Sequence, residues 1–214
     1  MFSIIVTMMS IAEVVAAGPE PGTDELLDRV AAAALAQFAE FGIRRSTIDD
    51  VARRAGVSRV TVFRRFETKQ RLVEVVVARE VRRGMAELTR TWEGGESLEE
   101  RVLNGLSFTV GFVRGHPLFD RLLRSEPEVL LPLLTVDGGP VLALYTSLIA
   151  ALLRSEIQAG RATTDDPDRV AEVIARLAIS LVLTRDGTFH LDDPHSMSAL
   201  VTLVLLPILQ PPKT

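Results

Sequence analysis

Three arginines lie within the short segment 58–66, which begins two residues after a glycine. Val62 and Phe66 are four residues apart and share one face of a helix, which we expect to be buried. At about 100° per residue, Val60 and Arg64 fall on the opposite, exposed face. Such a helix can enter the major groove of DNA, where a guanidinium reads guanine and a valine methyl contacts thymine.

A second helical pattern precedes this segment and predicts the element that supports it. Its apolar residues recur at helical spacing: Ile48, Val51, Ala52 and Ala55. Gly56 can adopt the positive φ that ends a helix, and Val57 fills the corner that follows. Ser58 is suited to capping the next helix through its hydroxyl. The two segments together predict a helix-turn-helix that reads duplex DNA.

The charge distribution supports this prediction. Residues 44–83 contain twelve Lys or Arg and five Asp or Glu, a local net charge of +7. The whole chain carries −4, so the rest carries −11. An acidic protein with one basic segment is typical of a molecule that meets a polyanion at one end, although a solvated arginine-rich helix face would give the same count.

The run from Leu26 to Val76 resembles the N-terminal domain of the TetR family of bacterial transcriptional regulators. The resemblance rests on motifs in fixed order: Phe38-Ala39-Glu40-Phe41-Gly42, Ser46-Thr47-Ile48-Asp49-Asp50-Val51-Ala52, Ala55-Gly56-Val57-Ser58, Val62-Phe63-Arg64-Arg65-Phe66 and Lys69. The family commonly has tyrosine at the positions of Phe63 and Arg65. Phe63 cannot donate a hydrogen bond to phosphate, whereas Arg65 can supply a charge-assisted one.

The resemblance and the helical face together predict the DNA contacts. Lys69 begins the next helix, where the resemblance implies a phosphate contact. Arg59 or Arg64 is expected to read guanine. The full predicted set is Arg45, Ser46, Thr47, Ser58, Arg59, Val60, Thr61, Phe63, Arg64, Arg65 and Lys69.

The remaining sequence predicts an all-α protein, with an N-terminal three-helix DNA-binding domain followed by a helical ligand-binding and dimerisation domain. We expect an extension over 1–22 and domains over 23–70 and 71–214. The first helix starts near Thr23 or Asp24, and its predicted buried residues are Leu27, Ala31, Leu35, Phe38 and Phe41. A long helix begins after Thr68 and runs to about Trp92. Further helices are predicted over 97–114, 117–124, 127–135, 140–160, 167–185 and 195–209.

The resemblance implies that the C-terminal domain binds a small ligand and forms a homodimer through its last two long helices. The candidate lining residues are Trp92, Asn104, Phe108, Phe112, His116, Phe119, Leu123, Leu130 and Tyr145. Apolar residues at helical spacing fit a filled core equally well, and that alternative stays open. Arg176 lies in an apolar helix and is predicted to form a buried pair with Glu172.

Enzymatic chemistry has little support in the sequence. The chain lacks cysteine, and its three histidines show no metal-ligand spacing, so we predict neither a metal nor a cofactor. The expected function is a dimeric, cytoplasmic repressor, released from a palindromic operator by a small apolar or amphipathic effector. A helical adaptor or helical-bundle enzyme that does not bind DNA is the alternative.

The first seventeen residues are apolar and carry one charge, at Glu13. They lack the basic region of a secretory signal and fall short of the about 20 apolar residues of a membrane span, so no membrane partner is expected. Two interpretations remain: an added helix that packs on the body or a partner, or a start codon assigned too far upstream.

Overall fold

The computed structural model describes residues 25–190 and 193–210, and every regular element in these ranges is helical. The all-α prediction is confirmed. The helices are α1 (Glu25–Phe41), α2 (Ile48–Ala55), α3 (Arg59–Phe66), α4 (Lys69–Glu93), α5 (Leu98–Gly115), α6 (Pro117–Ser125), α7 (Pro127–Leu134), α8 (Gly139–Gln158), α9 (Pro167–Leu183) and α10 (Pro194–Leu200). A π-helical stretch (Val201–Leu205) and a final α-helical turn (Leu206–Leu209) continue α10.

The described residues fall into two compact units. Unit 1 contains the residues up to Arg83 together with Gly115–Pro140, and unit 2 contains Gly84–Arg114 together with the residues from Val141 onward. The predicted domain boundary at residues 70 and 71 therefore lies inside unit 1. Helices α6 and α7 lie in the predicted C-terminal domain and cluster with the helix-turn-helix in unit 1. The domain ranges stay a prediction.

Unit 1 is built on an apolar core that α1, α2, α3, the first part of α4 and α6 share. Its largest fully buried side chains include Phe38, Phe66, Leu72 and Leu118. Phe41 was wrongly predicted to be buried and is 43% exposed. The helix ends there and Gly42 turns the chain at φ +83°, so Phe41 lies beyond the last turn that packs on the core. The predicted start of α1 at Thr23 or Asp24 lies outside the described residues.

Unit 2 packs α5, α8, α9 and the C-terminal helical segment (α10 and its continuation) around a second apolar core. Ile149, Leu153 and Leu205 are among its buried residues. Pro207 has no amide hydrogen to donate, and its ring crowds the carbonyl group of the preceding turn, which accounts for the π-helical stretch just before it. Helix α8 is long and apolar enough to cross a membrane by length and composition alone. Its buried residues Ile149 and Leu153 belong to the core of unit 2.

The predicted pair between Arg176 and Glu172 is present, but its predicted burial is wrong. Arg176 Nη2 lies 2.7 Å from Glu172 Oε1, and both side chains are substantially exposed. The pair lies on the exposed face of α9, because the opposite face buries Ala171, Ile174, Ala175 and Ala178. An exposed pair of this kind contributes little to stability.

Candidate DNA-binding interface

Helix α3 presents the face that the spacing of its residues predicts. Val62 and Phe66 are buried in the core of unit 1, whereas Val60 is 63% exposed and Phe63 is 56% exposed. Arg64 is also exposed. Exposed apolar side chains next to arginine are costly in water unless a partner covers them, so this face is suited to contact another molecule.

The turn before α3 is formed by local hydrogen bonds. Gly56 has φ +65°, and its amide donates to the carbonyl oxygens of Ala52 and Arg53. Ser58 Oγ then accepts from the Thr61 amide at 3.1 Å, which caps α3. The predicted roles of Gly56 and Ser58 in the turn agree with this geometry. Ser58 and Thr61 also share a hydroxyl contact of 2.8 Å.

Helix α2 packs against α3. It begins with a complete capping box. Thr47 Oγ1 accepts from the Asp50 amide at 3.2 Å, while Asp50 Oδ2 accepts from the Thr47 amide at 3.0 Å. Hydrogen bonds from the Thr47 side chain and backbone hold the pKa of Asp50 below its usual value. These hydrogen bonds fix the first turn of α2.

Arg59 is paired across the two helices of the motif. Its Nη1 atom lies 3.2 Å from Asp49 Oδ2, and both side chains are exposed. The role of Asp49 was not predicted, because a contact between residues ten apart leaves no periodic signal in the sequence. The carboxylate competes with DNA phosphates and bases for the Arg59 guanidinium.

Asp49→Ala is therefore expected to strengthen binding to random duplex DNA. Freeing Arg59 adds one cation to the interface, so the plot of log affinity against log salt concentration steepens by about one unit. Fluorescence anisotropy across a salt series measures this slope. Asp28→Ala is the control, since Asp28 pairs with Arg79 at 2.7 Å outside the predicted DNA contacts. If both variants show the same salt slope, the steeper slope of Asp49→Ala comes from the net charge alone.

The loop 42–47 differs from the prediction at Ser46. Ser46 is 1% exposed, and its hydroxyl donates to the carbonyl oxygen of Gly42 at 2.7 Å. It therefore holds the loop together from inside and does not face DNA in this conformation. Its neighbours Arg45 and Thr47 are exposed.

Lys69 is half-buried at the start of α4, and its Nζ atom donates to the carbonyl oxygen of Arg44 at 3.3 Å. Burial lowers the pKa of Lys69, and the charge of Glu126 opposes that shift. Arg65 is exposed and lines a cleft of about 430 Å³ at the junction of α3 and α4, together with Phe66, Glu67, Thr68, Gln70, Arg71 and Glu74. Arg65 and Lys69 thus lie on the two sides of the α3–α4 junction.

Comparison with known proteins identifies the motif. A family model described as bacterial regulatory proteins of the tetR family matches residues 30–76. Another, described as the C-terminal domain of the bacterial tetracyclin repressor, matches residues 98–207. The HTH-type transcriptional regulator AlkX of Mycobacterium tuberculosis is 30% identical over 160 residues, which cover 73% of this chain and 74% of the relative. The chain belongs to the TetR family of transcriptional regulators.

Solved structures agree on the fold of this TetR-family protein. The fatty acid degradation regulator FadR of Bacillus halodurans has a TM-score of 0.62 and 18% identity, over 90% of this chain and 99% of that chain. The TetR-family repressor AlkX of Dietzia sp., implicated in biodegradation of n-alkanes, has a TM-score of 0.61 and 24% identity, over 88% and 97%. The predicted family is confirmed, and the matches describe a DNA-binding regulator, not an enzyme.

The residues predicted to bind a ligand are divided between the two units. Unit 1 contains His116, Phe119, Leu123 and Leu130, and unit 2 contains Trp92, Asn104, Phe108, Phe112 and Tyr145. The cleft beside Arg65, which described residues form, is lined by none of these nine residues. The nine-residue set stays a prediction.

In unit 2, three of these residues make a ring contact or a hydrogen bond. The rings of Phe108 and Phe112 stack with centroids 5.5 Å apart. Tyr145 Oη lies 2.6 Å from Thr109 Oγ1, and burial raises the pKa of Tyr145 to about 12. Tyr145 is therefore a neutral hydrogen-bonding group at physiological pH.

In unit 1, His116 is buried and forms a polar pair. Its Nε2 atom lies 3.1 Å from Glu80 Oε2, and its ring packs on Phe119 with centroids 4.5 Å apart. The hydrogen bond with His116 is the main reason that the pKa of Glu80 lies below its usual value. In this structure His116 holds α4 and the start of α6 together.

Proposed function

We propose that this protein is a homodimeric repressor that binds a palindromic operator and is released by a small apolar or amphipathic effector. The observation that carries the proposal is the exposed face of α3, where Val60, Phe63 and Arg64 project while Val62 and Phe66 anchor the helix. This orientation suits insertion into a major groove. Such a protein acts in the cytoplasm, where the chromosome is accessible.

A dimer is supported by exposed apolar residues in unit 2. Val173 on α9 is 49% exposed, and Leu203 and Val204 on the C-terminal helical segment are 71% and 42% exposed. Burying these side chains against a second copy removes them from water. Two-fold symmetry then presents two α3 helices to successive major grooves, about 34–36 Å apart.

The effector class is supported by the aromatic side chains of unit 2 and by the relatives. Phe108 and Phe112 offer apolar surface, and the Tyr145 hydroxyl offers a hydrogen bond. The AlkX repressor of Dietzia sp. is implicated in n-alkane biodegradation, and the AlkX regulator of M. tuberculosis is 30% identical to this chain. We propose a long-chain aliphatic effector. It controls DNA binding only if it binds the free and the DNA-bound conformations with different affinities.

Duplex binding tests the proposal directly. Purified protein is titrated into the DNA upstream of its own gene and into a random duplex of equal length. We expect tighter binding to the upstream DNA, and competition by alkanes, alkanols or fatty acids of increasing chain length. Equal affinity for both duplexes at every salt concentration would refute operator recognition, and binding that no aliphatic compound weakens would refute the effector class.

Arg64→Ala is expected to cost about 1–3 kcal/mol of binding free energy on the operator while leaving random DNA almost unaffected, because Arg64 reads a base edge. Arg53→Ala is the control, since Arg53 is an exposed arginine on α2 outside the predicted contacts. Anisotropy titrations on both duplexes measure the ratio of operator affinity to random-DNA affinity for each variant. An equal loss on operator and random DNA would place Arg64 on a phosphate.

A further inference from the structure

A buried carboxylate from the junction of α6 and α7 reaches the loop 42–47. Glu126 is 6% exposed. Its Oε1 and Oε2 atoms accept from the backbone amide of Arg44 at 3.2 and 3.3 Å. The two residues are 82 positions apart in the chain. A buried carboxylate must be compensated by hydrogen bonds or opposite charge, and here a main-chain amide of the loop supplies part of that compensation.

Gly42 is adapted to this contact. A methyl group at Gly42 would overlap the Glu126 carboxylate, and the φ of +83° is strained for any residue with a side chain. The backbone of Gly42 also accepts the hydrogen bond from Ser46. The entry to the loop is therefore shaped around Glu126.

Lys69 binds the same residue through its carbonyl group. Its ammonium group donates to the carbonyl oxygen of Arg44, while Glu126 accepts from the amide of Arg44. Both main-chain polar groups of Arg44 thus bind a charged side chain. Charge-assisted hydrogen bonds are roughly twice as strong as neutral ones, so this arrangement restrains the loop more firmly than solvent contacts would.

A second glutamate nearby makes a different contact. Glu128 Oε1 lies 2.7 Å from the Arg44 guanidinium, and both side chains are about half exposed. An exposed pair adds little to stability and leaves the backbone unrestrained. Glu126 and Glu128 therefore carry the same charge close to the same residue, and only Glu126 holds the main chain.

We infer that Glu126 is a positioning residue for DNA binding: with Lys69, it clamps the Arg44 peptide groups and so sets the loop that presents Arg45 and Thr47 to DNA phosphates. The inference rests on the proposed DNA-binding function. Because Glu126 lies at the α6–α7 junction, a displacement of that junction moves the loop or breaks the two hydrogen bonds. This links a segment outside the helix-turn-helix to operator affinity.

The test compares Glu126→Ala, Glu126→Gln and Glu128→Ala in the full chain. All three raise the net charge equally, so a difference among them is not a long-range electrostatic effect. Glu126→Ala is expected to weaken operator binding by about tenfold, as the loss of a charged hydrogen-bond partner implies. Its salt slope should also become shallower by about one unit, because a phosphate contact is lost. Glu126→Gln retains an acceptor for the amide and should restore most of the affinity, while Glu128→Ala should bind like the wild type.

A readout without DNA separates this inference from the proposed function. The amide resonance of Arg44 in ¹H–¹⁵N spectra is expected to move upfield in Glu126→Ala and stay in place in Glu128→Ala. If the wild type binds no duplex, the proposed function fails while the spectra still test the clamp. Equal operator affinities and equal Arg44 shifts in Glu126→Ala and Glu128→Ala would overturn the inference. Should Glu126→Ala fail to fold, Glu126→Asp takes its place and is compared with the wild type: it keeps the charge, but its shorter side chain withdraws the carboxylate from the Arg44 amide, so both the affinity loss and the Arg44 shift are expected.

Discussion

Leu203→Arg is expected to give folded monomers that bind the operator far more weakly than the wild type. Leu203 is the most exposed apolar side chain of the described part of the C-terminal helical segment. A charged side chain there meets its own copy across a two-fold interface, where like charges and lost apolar burial oppose association. Losing bivalent attachment lowers affinity by about 10²- to 10⁴-fold. Light scattering measures the mass, and anisotropy measures operator binding.

Val136→Arg is the matched control for this experiment. Val136 is 87% exposed in unit 1, so the same kind of change is made at a different surface. This variant should remain a dimer. Ile174, which its apolar helix suggests as an interface residue, is 4% exposed, and arginine there would disrupt the core of unit 2. A Leu203→Arg protein that keeps twice the 23.4 kDa chain mass would place the interface elsewhere.

Glu156→Ala is expected to destabilise the protein by about 3–5 kcal/mol, the range for removing one partner of a buried ion pair. Glu156 is 1% exposed. Its carboxylate accepts from Trp92 Nε1 at 3.2 Å and from Arg161 Nε at 2.5 Å, and it lies 3.5 Å from Arg101 Nη1. Its removal leaves the indole and the half-buried Arg101 without this carboxylate. Urea unfolding followed by Trp92 fluorescence measures the change.

The control is Glu156→Gln, which keeps an acceptor for Trp92 and loses the charge. Its free energy of unfolding should lie between those of the wild type and the alanine variant. Loss of stability below about 1 kcal/mol in Glu156→Ala would contradict a structural role for the carboxylate, because exposed pairs fall in that range.

Burial favours a raised pKa for Glu156, but the hydrogen bonds from Arg161 and Trp92 and the nearby arginine charges outweigh it and lower the pKa. The stabilisation is therefore present above the pKa of the unfolded chain and disappears as the pH falls through the lower folded value. Acid denaturation of Glu156→Gln should be correspondingly less steep than that of the wild type.

The helix-turn-helix could be predicted because its signals are local. Apolar spacing within one helix, the glycine at 56 and the hydroxyl of Ser58 act over at most four residues, and each has the predicted place in the structure. The predicted starts and ends of the later helices agree with the structure within about two residues, because Pro and Asp mark them locally.

Contacts between distant segments could not be predicted in this way. Glu126 meets Arg44 across 82 positions, Glu156 meets Trp92 across 64, and neither pairing follows a helical period. The burial of Ser46 and the exposure of Phe41 depend on where the loop closes over the core. Periodicity shows which face of a helix is apolar. Only the packing of the helices decides which polar groups are buried next to that face. The sequence by itself therefore determined the DNA-reading element, and the tertiary structure decided which carboxylates hold its loop and the second core in place.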